Sequence, residues 1–565
     1  MDLLSLYQRV SEKTATPEDT ETAENFWGAI PSSSTQVLEL AEEVRKNIRI
    51  INQEQNLEVL AKIVEKTHRQ LGSYTSKIKD ASNMLENGLV EIGHQPLFYG
   101  GGSFLLNKVC LTANLCELSD QVESNLQPFF FIGDHDQVQN ELTVTRFPQV
   151  TSSSGLEIQY KVEAPYLYSP MHALPSPPEK AIREWNGKIR NNYLELIKFA
   201  KIKPQYRPLL LERLDEFLGL VLEARVRQES YSKWIMQLWS DILVLKNDLP
   251  VIFAPFSDPD LRELTLPVFE HLIQEDTREK FASTLNGKRE QLLDLGYVPG
   301  LPYRQEDEYA PFFLECHRCL GKTRISATVE KNTIRGKCPT CGEEINHEFN
   351  PRNPDLSELV FRLSPRADTR TLVIASLFPV LVHVGGTGEL VYHAQVFPAM
   401  RKLGITPSVF VKYNSLVYNT PWAEIAAPQV TELGATPVQE RGMFTLLSEF
   451  SKANDQGTYT KVTVNIQEEL ETRRLTMELL KDKLSEDWQE KRNKKARQGT
   501  ILLANYLSHV YGTFSKGKIN PEVSWNWIDF VLQVGLRDLA GFHRRQTKPA
   551  APLARNLFVS AGKYN

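Results

Sequence analysis

Cys316-His317-Arg318-Cys319 and Cys338-Pro339-Thr340-Cys341 are two CxxC knuckles with 18 residues between them. Each short turn can aim two thiolates at one tetrahedral ion, the ligand pattern of a zinc ribbon. Gly342 follows the second knuckle, where a freer backbone lets amides approach sulfur. Ile325, Ala327, Val329 and Ile334 alternate between the knuckles as a hairpin would. Four sulfurs fill the shell of a zinc ion and leave no position for water. Cys316, Cys319, Cys338 and Cys341 therefore read as a structural staple rather than a reaction centre. The competing reading is a clamp for nucleic acid or substrate through Lys322, Arg324, Lys331, Arg335 and Lys337.

Three further clusters carry different chemistry. Gly93-His94-Gln95, with Gly101, Gly102 and Lys108, offers backbone amides, a helix start and a point charge to an anion. In Gly133-Asp134-His135-Asp136 two carboxylates flank an imidazole, which they can orient and make more basic. Gly385-Gly386-Thr387-Gly388-Glu389 is a glycine-rich turn with one carboxylate, able to bind an amine or a hydroxyl. Taken singly, each is equally well a turn, a cap or a surface loop. Their shared position argues for more, because each follows a short apolar run. In an open parallel sheet, residues just beyond the strand ends share one crevice. His94, Lys108, Asp134, His135 and Glu389 are expected to converge there. Glu389→Gln is expected to abolish turnover with little effect on stability, because it removes charge and keeps volume.

The elements that must position these groups follow from periodicity. Residues 1–85 form an N-terminal helical segment, with Val37, Leu40, Ala41, Val44 and Ile48 at helical spacing. Residues 86–180 read as the first half of a Rossmann-like core: strand 89–92, glycine turn, helix 104–119 capped by Ser103, strand 128–132. Residues 181–245 are a helical insertion, and 246–311 return to the core through a strand at 250–254. The zinc ribbon covers 312–350. The second half of the core, 351–455, has strand-like runs at 371–374, 380–384 and 408–411. From residue 466 the positions Ile466, Leu470, Met477, Leu480, Leu484 and Trp488 fit a coiled-coil seam within a tail spanning 456–565. A second helix at 501–511 can fold back on it. The fold class is α/β, with a helical insertion, a zinc ribbon and a C-terminal α-helical coiled coil.

Composition narrows the function. Of 565 residues, 65 are Lys or Arg and 70 Asp or Glu, a formal charge of −5, which argues against a general nucleic-acid or membrane-surface binder. The most apolar stretch, 372–384, falls short of the roughly 20 residues a bilayer requires, and Pro379 interrupts it. The start lacks the basic lead of a secretory signal, so a cytoplasmic protein is expected. Six cysteines in this length are no disulfide framework, and Cys110 and Cys116 read as buried apolar side chains. No Walker P-loop, GxSxG, HExxH or GxGxxG is present.

The clusters occur together in a known family. Gly93-His94-Gln95, Gly101, Lys108, Asp134-His135-Asp136, the run 257–262, then Gly385-Gly386-Thr387-Gly388-Glu389 with Tyr392 and Gln395 resemble, in order and rough spacing, the bacillithiol-synthesis cysteine-adding enzymes (BshC family). Ser364-Pro365-Arg366 also resembles a family segment. His94, Asn107 and Gly133 depart from the family's pattern, and a zinc ribbon is not a usual feature of it. The resemblance implies a Rossmann-like core related to class I nucleotidylyltransferases and aminoacyl-tRNA synthetases. It also implies joining of cysteine to the amine of a glucosaminyl-malate, with small-molecule substrates, ATP or another nucleotide, and a homodimer through the coiled coil. On that reading Lys108 and His94 face phosphate or developing charge, with Gln95 beside them. Asp134 or Asp136 binds an amine or ribose, and His135 acts as acid–base or orienting group. Glu389 holds the cysteine amine and Arg366 is a carboxylate partner. The alternative is a non-catalytic or differently specific relative that binds RNA or a protein partner through the ribbon and the basic run 491–497.

Overall fold

The computed structural model describes residues 3–149, 155–419, 522, 525–547, 549–550, 553–554 and 556–560. The expected coiled coil from Ile466, the helix at 501–511 and the basic run 491–497 lie outside the described residues.

Five helices open the chain: α1 (Leu3–Ser11), α2 (Pro17–Trp27), α3 (Ser34–Asn47), α4 (Gln53–Gln70) and α5 (Ser76–Asn83). Thr16, Ser33 and Thr75 cap α2, α3 and α5 by accepting from the amide three residues on. Then β1 (Leu89–His94), α6 (Ser103–Asp120) and β2 (Gln127–Ile132) form the expected strand–helix–strand unit, with β1 and β2 parallel. Gly102 rather than Ser103 occupies the N-cap of α6, and no side chain caps it. Ser103 is the first helical residue, so its hydroxyl is one position late for that task.

A short helix α7 (Asn140–Thr143) and the antiparallel pair β3 (Val144–Phe147) and β4 (Leu156–Gln159) lead into the helical insertion. This comprises α8 (Glu179–Phe199), α9 (Arg207–Arg227) and α10 (Tyr231–Trp239), which continues as a π-helical stretch, Ser240–Lys246. The chain re-enters the sheet as β5 (Ile252–Pro255), followed by α11 (Pro259–Ile273) and α12 (Glu275–Asp294).

Strands β6 (Tyr309–Glu315), β7 (Arg324–Glu330), β8 (Thr333–Lys337) and β9 (Glu344–Glu348) form an antiparallel sheet around the cysteine pairs, and β10 (Leu363–Pro365) adds a fifth strand beside β6. Ile325, Ala327, Val329 and Ile334 are buried, on the inward face of this sheet. Residues 371–374, expected as a strand, lie instead in α13 (Arg370–Leu377). A run as short as Leu372-Val373-Ile374 cannot distinguish a buried helix from a buried strand. Strand β11 (Val380–Gly385), α14 (Thr387–Lys402) and β12 (Val409–Lys412) complete the core, and β13 (Ser415–Asn419) pairs in parallel with β14 (Asn556–Ser560).

The main sheet is parallel throughout, in the order β12-β11-β1-β2-β5. Its strands are buried on both faces, which explains their near-continuous apolar runs. The opening helices pack directly on its second half: Tyr7 donates to the Phe410 carbonyl at 2.8 Å and Trp27 to that of Leu390 at 2.9 Å. On the other side, the glycine turn before α6 is covered by chain from far downstream. A Cβ at Gly100 would lie 2.4 Å from the Trp527 ring, and one at Gly102 would lie 2.2 Å from the Glu522 carbonyl oxygen. Glycine is needed at these two positions for that close approach. Among the described residues, no helix is long and apolar enough to cross a membrane.

Candidate active site

The carboxyl ends of the parallel strands present Lys412, Gly385, His94, Ile132 and Pro255 along one edge. Strand order reverses between β1 and β11, since the chain steps outward through β2 and β5 on one side and through β12 on the other. Ligands of such sheets bind at this reversal.

The first group of side chains spans it. Lys108, in the second turn of α6 and almost fully buried, contacts the Glu389 carboxylate at the start of α14. Glu389 Oε2 also accepts from the Gly386 amide at 2.7 Å, which caps α14. Its other oxygen lies 3.5 Å from His383 Nε2, and His383 Nδ1 lies 2.8 Å from Glu91 Oε2. Glu91 and His383 are register partners on β1 and β11. Burial opposes charge on His383, but Glu91 and Glu389 outweigh it and raise its pKa to about 9. Burial likewise opposes charge on Glu389, and Lys108 with His383 outweighs it, holding Glu389 well below the carboxylate range. His94 is the opposite case: burial first, then the Lys108 charge, lowers it to about 4, so it is neutral. The expectation that Glu389→Gln has little effect on stability does not fit this geometry, because the substitution strands a buried lysine.

The second group is built on the loop after β2, where the three residues of Asp134-His135-Asp136 separate. Asp134 faces away as a brace, accepting from the Ser257 amide at 2.9 Å, from Ser257 Oγ at 2.5 Å and from Ser232 Oγ at 3.2 Å. It ties the ends of β2 and β5 to α10. His135 is buried against Phe256, and burial lowers its pKa to about 3. Its Nδ1 is buried and has no hydrogen-bond partner among the described residues. Asp136 accepts from Gln95 Nε2 at 2.6 Å and faces two guanidiniums, Arg324 at 3.3 Å and Arg370 at 3.5 Å. Arg370 also donates to the Tyr392 hydroxyl at 3.1 Å, so α13 links this group to α14. Arg366 and Arg324 both lie over the Phe313 ring, at 4.6 and 3.6 Å.

Of the remaining sequence-derived residues, Gln95, Asp136 and Tyr392 thus join the polar network. Gln395 does not: it accepts from the Leu301 amide at 2.9 Å and donates to the Leu285 carbonyl at 3.3 Å, fastening α14 to α12. A Cβ at Gly386 would lie 3.8 Å from Lys108 Cε, whereas nothing lies within 4 Å of one at Gly388. Gly385 admits the Phe410 ring, Gly93 lies beside Phe131, and Gly101, at φ +92°, turns the chain over Leu97. A cavity of about 540 Å3 opens beside His94 and Gln95, walled by Phe104, Arg146, Trp525 and Asn526.

Sequence reasoning missed Glu91, His383 and Arg370, and gave no role to the trio of buried Arg262 and Glu315 with half-buried His172. In that trio Arg262 donates to Glu315 at 2.5 Å, and His172 Nε2 lies 3.2 Å from the same carboxylate. One signal was available: a lone Glu and a lone His interrupt two otherwise apolar buried strands. Arg324, read as part of a basic clamp, instead turns inward to Asp136, and its side chain is 16% exposed. Arg335 and Lys337 are paired with Glu330 at 3.1 Å and Glu344 at 3.0 Å, which removes more of that clamp.

The four cysteines do come together. Their sulfurs lie within 4.8 Å of one another, with Cys316–Cys341 at 3.6 Å and Cys319–Cys338 at 3.5 Å, a cluster that can bind a metal ion. Cys110 and Cys116 are buried and free, with burial raising both thiols.

Comparison with known proteins matches residues 34–412 to the family described as "Bacillithiol biosynthesis BshC, N-terminal Rossmann-like domain". Two similar proteins from strains of Bacillus cereus carry the name "Putative cysteine ligase BshC". One is 22% identical over 356 residues and the other 23% over 368. These alignments cover 61% and 64% of this chain, and 59% and 61% of the two relatives. A Bacillus thuringiensis protein of the same name is 25% identical over 194 residues, 34% of this chain and 33% of its own length. With the Rossmann-like sheet and most of its polar edge inside the matched residues, the chain belongs to the BshC family of bacillithiol biosynthesis.

Proposed function

We propose that the chain is a cysteine ligase, joining the cysteine carboxyl to the amine of an amino-sugar acceptor of the glucosaminyl-malate type. The observation that carries this reading is the buried Lys108–Glu389 pair at the reversal of the sheet. Cysteine is a zwitterion, and an opposite-charge pair suits it: its ammonium is taken by Glu389 and its carboxylate by Lys108. His94, neutral and adjacent, adds no competing charge. Amide formation from a free carboxylate needs an activated acyl group, so a nucleotide such as ATP is the proposed co-substrate. The space beside His94 is the proposed room for it. The guanidiniums of Arg324 and Arg370 outnumber Asp136 and suit the carboxylates of the acceptor, with Arg366, which faces the buried Asp368 at 3.8 Å, stacked beside them on Phe313. His135, held neutral with a buried Nδ1 that has no partner among the described residues, accepts a hydrogen bond from the acceptor amine.

Zinc is the proposed occupant of the cysteine cluster. Four thiolates at about 2.3 Å from one ion lie about 3.8 Å apart in a tetrahedron, close to the spacing observed. The family context favours a cytoplasmic enzyme, and the seam from Ile466 to Trp488 is the proposed surface for a homodimer. The paired state of Arg335 and Lys337 weighs against the nucleic-acid reading.

The test supplies cysteine, an amino-sugar malate and ATP and follows the thiol product by mass. Product is expected with the native chain and none with Glu389→Gln. No thiol product with any amine acceptor would remove the reaction while leaving the fold intact.

A further inference from the structure

The end of the β6–β7 ladder joins the cysteine cluster to the polar edge of the main sheet. Glu315 and Arg324 are the last register partners of that ladder, directly opposite one another. Opposed residues of an antiparallel pair project on the same face. The next residues outward, Cys316 and Thr323, are closed by a bond from the Cys316 amide to the Thr323 carbonyl at 2.8 Å. Beyond them the chain is the first knuckle.

Both members of the rung reach the loop that carries Asp134 and Asp136. The Arg324 guanidinium lies 3.3 Å from Asp136, flat against Phe313, and the Arg324 amide donates to the Tyr168 carbonyl at 2.8 Å. Glu315, fully buried, holds His172 at 3.2 Å, and the His172 amide donates to the Asp134 carbonyl at 2.8 Å. The knuckle itself is pressed on the same region, since a Cβ at Gly321 would lie 2.2 Å from Ser169 Oγ and 2.4 Å from the Pro165 carbonyl oxygen. The second knuckle is braced to the first through Thr323 and Thr340, whose hydroxyls lie 2.9 Å apart.

We propose that a zinc ion in the Cys316–Cys319–Cys338–Cys341 cluster sets the position of Arg324 and Glu315 and, through them, of the Asp134–Asp136 loop, so that metal content controls the order of that part of the polar edge. The ion would act from outside the site as a clasp on the last rung, with Arg324 as the positioning residue. This rests on the zinc reading above and not on the ligase reading.

The experiment uses the full chain and two measurements, zinc content by plasma mass spectrometry and hydrogen–deuterium exchange. About one equivalent of zinc is expected in protein purified without chelator, and less than about a tenth overturns the proposal. Cys341→Ser, which alters the most exposed ligand, is expected to lose the zinc. Exchange in residues 133–137 should then rise at least about fivefold, while 89–94 and 380–385 are unchanged. Zinc-free protein with native exchange at 133–137 overturns the coupling. Should Cys341→Ser not fold, Arg324→Gln carries the test: zinc stays bound, and the 133–137 loop loosens as in stripped protein. Arg324→Lys should restore part of the protection. Zinc-loaded Arg324→Gln with native exchange overturns the positioning role. None of these readouts needs turnover, so failure of the ligase reading leaves them standing.

Discussion

The polar edge of the main sheet holds two neighbouring groups of charged side chains with opposite logic. Around Lys108, Glu389, His383 and Glu91 each positive group faces a carboxylate, and the set is closed on itself. Around Asp136 a single carboxylate answers two guanidiniums, a third, facing Asp368, stacks close by on Phe313, and His135 Nδ1 is buried with no hydrogen-bond partner among the described residues. On the proposed reading, the first arrangement is a charge pair that exchanges with a zwitterion, and the second offers positive charge to an anionic partner. On that reading one sheet edge separates a small amino acid from an acidic acceptor by charge balance.

The largest effect should come from breaking the balance of the first group. Glu389→Gln is expected to reduce turnover below detection. It should also cost about 3–5 kcal/mol of stability in chemical denaturation, because Lys108 is left buried and unpaired. Lys108→Met in the same background should recover most of that stability and none of the turnover.

Next comes the link between the groups. Among the described residues Arg370 alone touches both Asp136 and Tyr392, and Arg370→Lys replaces a fork by a point charge. An approximately 10–100-fold loss in kcat/KM is expected, about 1.4–2.7 kcal/mol, with the larger part in KM for the acceptor.

The histidines of the two groups should also part company with pH, His94 and His135 on one flank and His383 on the other. His135 has a folded pKa of about 3 against about 6.5 in the unfolded chain, so only the unfolded chain takes up its proton between those values. Acid therefore destabilises through His135, by about 2 kcal/mol at pH 5, and His94 at about 4 acts in the same direction. His383 runs the other way: raised to about 9, its contribution is full below about pH 6.5 and is lost as pH climbs through 9. Denaturation from pH 5 to 10 should show both flanks. His383→Asn should flatten only the alkaline one, and His135→Asn should soften only the acid one.

The smallest effect belongs to the residue that lies between sheet and insertion without joining either group. Asp134→Asn, by weakening the bonds to Ser257, should cost about 1–3 kcal/mol and change KM less than twofold. A KM rise comparable to that of Arg370→Lys would move Asp134 into the site.

Legibility in the sequence tracks how local the chemistry is. The cysteine knuckles can be read to the residue because each pair is fixed by a four-residue turn. The strand ends are readable because buried parallel strands are apolar and stop at polar loops, which is how Lys108, Asp136 and Glu389 were found. Arg370 and Arg324 are not readable. The first sits on a helix whose apolar start imitates a strand, and the second on a ribbon strand where every basic residue looks solvent-facing. Asp134 and Gln395 match the family's pattern as well as Asp136 and Tyr392 do. Only three-dimensional contacts reveal that they fasten backbone instead.

The glycine turn before α6 has a further consequence, in time rather than in space. Trp527 and Glu522, which cover Gly100 and Gly102, leave the ribosome more than 400 residues after the turn they complete. At about 5–20 residues per second, the gap is about 20–85 s, far longer than collapse of the strands around it. The glycine turn therefore waits for that last cover, although Phe98 and Tyr99 already pack on Trp185, Tyr231 and Trp234 of the helical insertion and Trp239 already donates to the Gly100 carbonyl.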